Sequence, residues 1–330
     1  MRDFKSFKNN IFNFNASDFD KQALELFRYQ AEYNQIYSEY LSVLGISPSS
    51  VHSVLQIPFL PISLFRDKKI KTGQWEEEDV FMSSGTTSGN RSRHYVESLE
   101  YYDRISLAIF ERFYGRVDAY IFLALLPSYQ EQGASSLIRM VQNLIQQSGN
   151  PDSGFYLQDY NELKQKLKSL QNRRDKKVIL WGVTYALLDL AAKSGNLPEN
   201  TIVLETGGMK GRREELTRNE VHELLENGFG IGRIHSEYGM TELLSQAYSH
   251  GNGIFRSPPW MKILLREIND PFAINNEMHY GGVNIIDLAN IHSCAFIETG
   301  DLGRVFVDGS FEIIGRLDNS DSRGCNLLVN

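Results

Sequence analysis

The chain has 330 residues, 42% of them hydrophobic, with 41 acidic against 34 basic side chains and a formal net charge of -7. That length supports one large or two ordinary domains around a substantial core, and an acidic balance without a basic block or arm excludes the usual nucleic-acid partner. Met1-Arg-Asp-Phe-Lys-Ser has no signal-peptide apolar core, and the longest apolar run, Ala119 to Leu126, is too short to span a bilayer, so a soluble, cytoplasmic protein with no membrane span is expected. Two cysteines, Cys294 and Cys325, make neither a disulfide scaffold nor a zinc site.

Residues 17 to 44 predict a helix, with Ser17 as N-cap, Asp18 and Asp20 in the first turn, Phe19, Leu24, Phe27, Tyr37, Leu41 and Leu44 on one side, and Gly45 as the stop. Its tyrosines and glutamines read as an ordinary packing face. Phe59 to Phe65 predicts an edge strand, because Pro61 cannot donate to a central ladder. The stretch from Phe81 to His94 (FMSSGTTSGNRSRH) is an apolar strand end, a run of small residues and a basic exit. Small residues let backbone N–H groups close around an anion. Four hydroxyls (Ser83, Ser84, Thr86, Thr87) and two guanidiniums (Arg91, Arg93) add donors that suit phosphate oxygens. By itself the segment reads equally as a phosphate clamp or as a Gly/Ser surface loop, and it lacks the Gly-Lys-Ser/Thr of a P-loop.

Beyond it, Ser98 is placed to cap a helix running to Tyr114, and Ala119 to Leu126 suits a buried parallel strand. Helix (134 to 147), helix (161 to 172), strand (177 to 181), helix (183 to 194), strand (201 to 206) and helix (213 to 226) follow. This alternation predicts a layered α/β fold with binding loops at strand ends. From Gly281 onward, short segments at Val283 to Asp287, Ala295 to Glu298, Arg304 to Val307 and Phe311 to Ile314 predict a small antiparallel β unit. Between them, His235-Ser-Glu-Tyr-Gly-Met-Thr-Glu242 reads as a strand end at Arg233 to His235, a turn, and a helix starting near Thr241 and Glu242, whose N–H groups suit a phosphate and whose carboxylate suits Mg2+. Taken singly, Tyr238 is equally a core aromatic and Glu242 a helix-start carboxylate. Glu298-Thr-Gly-Asp-Leu-Gly303 reads as a strand followed by a tight turn, with Asp301 as its turn former, and Gly315-Arg316-Leu-Asp-Asn-Ser320 has the same plain reading.

A Ser/Thr/Gly clamp, then Tyr-Gly-x-Thr-Glu, then Thr-Gly-Asp, then Gly-Arg-x-Asp resembles the motif series of the adenylate-forming superfamily of acyl-CoA synthetases, luciferases and peptide-synthetase adenylation domains. Within it the chain is most similar to LuxE-type acyl-protein synthetases. That likeness rests on Ile57-Pro58-Phe-Leu-Pro61 with Phe65, Ser83 to Ser88, Gly207-Gly208-Met209-Lys210, Tyr238 to Glu242, and Arg323-Gly324-Cys325. The lead-in and the cysteine ending discriminate the family, because the central motifs belong to the whole superfamily.

The resemblance implies that Ser83, Ser84, Gly85, Thr86 and Thr87 cradle ATP phosphates, and that Gly207 and Gly208 line the adenine slot. It implies that Tyr238, followed by Gly239, stacks on adenine, that Thr241 binds the α-phosphate, that Glu242 ligates Mg2+, that Asp301 holds the ribose hydroxyls and that Arg316 contacts ribose or phosphate from a hinge. The superfamily's clamp usually ends in Pro-Lys; here Asn90-Arg91-Ser92-Arg93 stands in its place, and either arginine can supply the charge. The implied organisation is an adenylate-forming catalytic domain at 1-315 and a hinge with a short tail at 316-330, in place of the superfamily's small lysine-bearing C-terminal domain. The implied activity uses ATP and Mg2+ to convert a fatty or other carboxylic acid to acyl-AMP with release of pyrophosphate. The acyl group then passes to a protein cysteine, Cys325, for delivery to a partner such as an acyl reductase. Beside Leu327, Leu328 and Val329, Cys325 also reads as a small apolar filler, and Cys294 reads as core. Two alternatives stand beside this reading: transfer of the acyl group to coenzyme A or a carrier protein, and a nucleotide- or acyl-binding subunit without turnover. His94 and His235 lie near the motifs and read as structural.

Overall fold

The computed structural model describes residues 4–83, 91–126, 134–156, 159–207, 216–275 and 277–317. Helix α1 spans Phe4–Asn10, α2 Phe19–Tyr33 and α3 Gln35–Val43. The single helix expected over 17 to 44 is therefore broken. Asn34 leaves the helical region (φ -102°, ψ 106°), and its side chain accepts from Tyr37 N to cap the second piece. The break lets buried amides meet another part of the chain. Gln30 Nε2 donates to Asn290 O at 2.9 Å and Ile291 O at 3.0 Å, and Asn34 Nδ2 donates to Ser293 O at 3.0 Å. The glutamine face is thus a clamp on the 290–293 loop.

Strand β1 is only Leu60–Pro61, followed at once by α4 (Leu64–Asp67). The predicted seven-residue strand is cut short because Phe65 N and Arg66 N bond Ile62 O and Ser63 O in a helical turn. Strands β2 (Asp79–Met82) and β3 (Arg93–Val96) form a separate antiparallel hairpin. Helix α5 (Leu99–Tyr114) starts at the predicted cap, Ser98 Oγ accepting from Tyr101 N at 3.2 Å.

An alternating region follows: β4 (Tyr120–Leu125), α6 (Ser136–Ser148), β5 (Gly154–Phe155), α7 (Tyr160–Ser169), β6 (Lys177–Val183), α8 (Thr184–Ser194), β7 (Thr201–Thr206), α9 (Arg218–Phe229) and β8 (His235–Tyr238). The strands β5-β4-β6-β7-β8 pair in parallel. Residues 121–126 and 178–181 are wholly buried, as continuous apolar parallel strands require.

The remaining strands are β9 (Ala247–Ser249), β10 (Phe255–Arg256), β11 (Met261–Arg266), β12 (Tyr280–Asp287), β13 (Phe296–Val305) and β14 (Phe311–Arg316). They supply the expected antiparallel unit and continue the same sheet, in the order β11-β12-β13-β14-β10-β9-β8-β7-β6-β4-β5, with β1 parallel on β13. The segments expected as two strands, 295–298 and 304–307, are one strand, and Thr299-Gly300-Asp301 lies inside it. On the β12 side a register shift between Gly282 and Asn284 sets residues 299–301 opposite Val283 alone, so the extra residues are absorbed within the strand and no tight turn is needed.

Laid flat, the four steps from β8 to β13 would span about 19 Å at about 4.8 Å per strand. Yet Tyr238 Oη on β8 donates to Asp301 Oδ2 on β13 at 2.7 Å. The antiparallel half therefore curls over β8. The side chains of Phe255 and Phe311 fill the inside of the curl, with ring centroids 5.9 and 5.7 Å from that of Tyr238.

Candidate active site

The curl, the end of β8 and the β2–β3 hairpin meet at one place. Ser83 and Ser92 close the base of the hairpin loop, Ser83 N donating to Ser92 O and Ser92 N to Ser83 Oγ, both at 3.1 Å. The expected clamp residues Ser84, Gly85, Thr86 and Thr87 lie outside the described residues, as do Gly208 and Cys325. Beyond the loop the strand alternates: Arg91 and Arg93 are exposed, whereas Ser92 and His94 are buried. The inward pair faces the Tyr-Gly-Met-Thr-Glu segment. His94 Nδ1 donates to Thr241 O at 2.8 Å, a bond that fixes its tautomer because a carbonyl only accepts. The Ser92 hydroxyl lies close enough to the Glu242 carboxylate to favour its ionised form.

Residues 239–246 form no helix, contrary to the expected helix start at Thr241. Leu243 N bonds Met240 O in a single turn, and the chain then returns along β9. The competing structure is a buried carboxylate: Asp287 accepts from Leu244 N and Ser245 N at 2.9 Å, from Ser245 Oγ at 2.7 Å and from Ala289 N at 3.1 Å. These N–H groups are spent on Asp287, so no helix N-terminus points at a ligand here. The turn keeps Glu242 95% buried, with its own carbonyl accepting from Asn290 Nδ2 at 2.8 Å. Burial pushes the Glu242 carboxyl up, against the Ser92 hydroxyl and the distant Arg316 and Arg66 charges, which pull it down.

Tyr238, Asp301 and Arg316 form a second cluster. Asp301 and Arg316 are cross-strand partners, and Arg316 Nε donates to Asp301 Oδ1 at 3.2 Å while its side chain is 84% exposed. The Tyr238 ring is buried against Phe255 and Phe311, and burial raises its phenol well above the ordinary value. Gly207 and Gly239 are exposed just beyond β7 and β8, which are neighbours in the sheet. Gly207 takes φ +77°, and its carbonyl accepts from Thr184 Oγ1 at 3.1 Å. A Cβ at Gly239 would meet Glu237 Oε1 at 2.4 Å. The backbone at Gly207 therefore favours glycine, a side chain at Gly239 would displace the Glu237 carboxyl, and together the two leave bare backbone at the carboxyl ends of two parallel strands, the usual ligand edge of such sheets.

Motif reasoning passed over a pair of buried acids. Glu205 accepts from the Thr184 hydroxyl and lies 3.7 Å from Arg218, and Glu237 accepts from the Thr206 hydroxyl. Desolvation raises both, Glu237 to about 7, with the Glu205 charge contributing. Motif reasoning also gave Ser92 and Asn290 no role of their own and read His94 as structural; strand alternation after the clamp was the available signal that Ser92 and His94 point inward together. Among the described residues no group of three His, Cys, Asp or Glu side chains is placed to hold a metal. A lone carboxylate such as Glu242, disfavoured as an anion by its burial, fits Mg2+ arriving with a phosphate substrate, since that ion keeps waters and substrate oxygens as its other ligands.

The architecture is that of the N-terminal domain of adenylate-forming ligases. It superposes on an open 2-hydroxyisobutyryl-CoA ligase in complex with 2-HIB-AMP and CoA, with a TM-score of 0.65 and 14% identity over 92% of this chain and 75% of that one. MatB from Rhodopseudomonas palustris with bound ATP gives 0.51 and 15% over 72% and 47%, and MenE from Bacillus subtilis with a product analogue gives 0.53 and 16% over 73% and 49%. The chain thus spans about half the length of the latter two. No curated protein matches the sequence. The family model for acyl-protein synthetase, LuxE, matches residues 12–330, and the chain belongs to that family. No helix among the described residues is long and apolar enough to cross a membrane.

Proposed function

We propose that this chain is an ATP-dependent ligase that activates a fatty or related carboxylic acid as acyl-AMP and passes the acyl group to a cysteine thiol, that of Cys325. The observation that carries the reading is the convergence of Glu242, Thr241, Tyr238, Asp301 and Arg316, from separate strands and turns, beside the base of the Ser83–Ser92 loop.

In the first step a carboxylate oxygen of the acid attacks the α-phosphorus of ATP, the bond to the β-phosphate oxygen breaks, and pyrophosphate leaves. The chain's task is to position the reactants and offset charge. Gly207 and Gly239 offer backbone for the flat base beside Tyr238, Asp301 accepts from the ribose hydroxyls, and Arg316, exposed and already turned toward Asp301, reaches ribose or phosphate. The Thr241 hydroxyl donates to the α-phosphate, and residues 83–87 with Arg91 or Arg93 hold the remaining phosphates. Glu242 would hold Mg2+, which when bound would supply positive charge against the phosphate oxygens. In the second step the Cys325 thiolate attacks the acyl carbon and AMP departs with the bonding pair. The resulting thioester suits delivery to a partner such as an acyl reductase. Division into a catalytic unit, 1–315, and an acyl-carrying tail, 316–330, follows from this scheme.

Incubation with ATP and a panel of acids, read by pyrophosphate release and hydroxylamine trapping, tests the first step. Intact mass tests the second, because an acyl adduct should form on the wild type and vanish in Cys325→Ser while adenylation persists. Thioester formed on coenzyme A or a carrier protein with Cys325→Ser intact in activity selects that acceptor instead, and ATP binding without pyrophosphate release under any acid refutes turnover.

A further inference from the structure

Behind the Thr241–Glu242 turn lies a small, partly open cavity of about 10 Å3 whose lining includes Tyr101, Asn290 and the half-buried His292. Each of these residues has one buried polar atom without a protein partner: Tyr101 Oη, Asn290 Oδ1 and His292 Nδ1. Tyr101 is 95% buried and Asn290 completely so. An unsatisfied buried polar group costs about 1–3 kcal/mol, so each of these atoms calls for a partner.

Their proton inventory is fixed by the bonds their other atoms make. Asn290 Nδ2 spends both hydrogens on carbonyls, Glu242 O at 2.8 Å and Cys294 O at 2.9 Å, so the amide cannot flip and Oδ1 is an acceptor. His292 Nε2 faces the Glu97 carboxylate at 3.6 Å, which itself accepts from Lys8 Nζ at 2.6 Å. A carboxylate rewards a proton on Nε2, which leaves Nδ1 with a lone pair, and burial holds the ring neutral. Tyr101 contributes an O–H donor, kept protonated by burial. These three atoms therefore present one donor and two acceptors.

We propose that this cavity binds one ordered water molecule that accepts from Tyr101 Oη and donates to Asn290 Oδ1 and His292 Nδ1, making Asn290 a positioning residue for the Glu242 turn. A water offers two hydrogens and lone pairs, so it completes all three atoms; its volume and three partners match those of buried structural waters. A metal cation takes the two lone pairs but accepts nothing from the Tyr101 O–H, and an apolar guest satisfies none of the three. The water ties the first turn of α5 to the 290–293 loop, which Gln30 and Asn34 already hold from the opposite side. The effect on ATP rests on the proposed function; the water and the order of the turn do not.

A crystal structure of the full chain at about 1.8 Å should show one water within hydrogen-bond distance of all three atoms. An empty cavity, a cation, or a direct bond between two of these side chains overturns the proposal. In Tyr101→Phe, hydrogen exchange of peptides covering 239–246 should rise about tenfold, the equivalent of about 1.4 kcal/mol of local order, with exchange in β4 and β6 unchanged. The KM for ATP should rise several-fold while kcat changes less. Unchanged exchange in 239–246 refutes the link to the turn, and faster exchange without an ATP effect confines the failure to the functional reading. Should that variant fail to fold, the wild-type crystal structure still decides whether the water is there.

Discussion

Replacing Glu237 with glutamine should change how stability depends on pH, in a direction fixed by the burial of this acid. Its carboxyl is almost fully buried at the end of β8 and is pushed from 4.5 to about 7, first by desolvation and then by Glu205. Below about pH 4.5 both folded and unfolded chains hold the proton. Between there and about pH 7 only the folded chain holds it, so stability falls as pH rises, and above pH 7 the loss is complete. At about 1.4 kcal/mol per pH unit the total is about 3 kcal/mol, or about 4 °C in melting temperature for a chain of this length. Glutamine mimics the neutral acid and can still accept from the Thr206 hydroxyl, so Glu237→Gln carries none of this slope. His94, His222 and His235, each lowered to about 4 by burial, act in the opposite sense, costing stability as pH falls below 6.5. They are common to both proteins and cancel in the difference. Melting curves of both proteins at half-unit steps from pH 4.5 to 8 measure it. The variant should gain on the wild type steadily up to pH 7 and then hold level; a difference that stays flat across the window refutes an elevated Glu237.

Other outcomes follow from the same geometry. Asp287→Asn turns an amide N–H2 toward two of the four donors that the carboxylate now satisfies, which should cost roughly 4 kcal/mol and about 6 °C in thermal unfolding. A variant melting within a degree of wild type would deny Asp287 its organising role. Asp301→Ala removes the acceptor shared by Tyr238 and Arg316 and the proposed ribose contact, so the KM for ATP should rise roughly tenfold or more in pyrophosphate-release assays. The Cys294 thiol is fully buried and pushed up to about 12, so Cys325→Ser should react with a thiol reagent only after denaturation; prompt labelling of that variant in its native state would contradict the burial.

Much of the fold was legible because its signals are local. The run from Tyr120 to Leu125 and the stretch 178–181 are apolar on both faces, as only a covered parallel strand tolerates, and Ser98 announced α5 through a cap that lies within three residues of its partner. The motif order likewise exposed the family, which the match over residues 12–330 establishes. Sequence reading failed where distant groups overruled local preference. Asp287 took the N–H groups of 244 and 245 and turned an expected helix into a return turn, and the 290–293 loop drew Gln30 and Asn34 into it and broke another.

What sequence alone determined is thus the order of chemical groups and the class of each segment, since caps, periodicity and glycine turns act over a few residues. The joining of Tyr238 to Asp301 and of His94 to Thr241 was decided only by the tertiary structure. These contacts depend on how far the sheet curls and where the hairpin lands, and both are set by packing summed over the whole core rather than by any neighbouring residue.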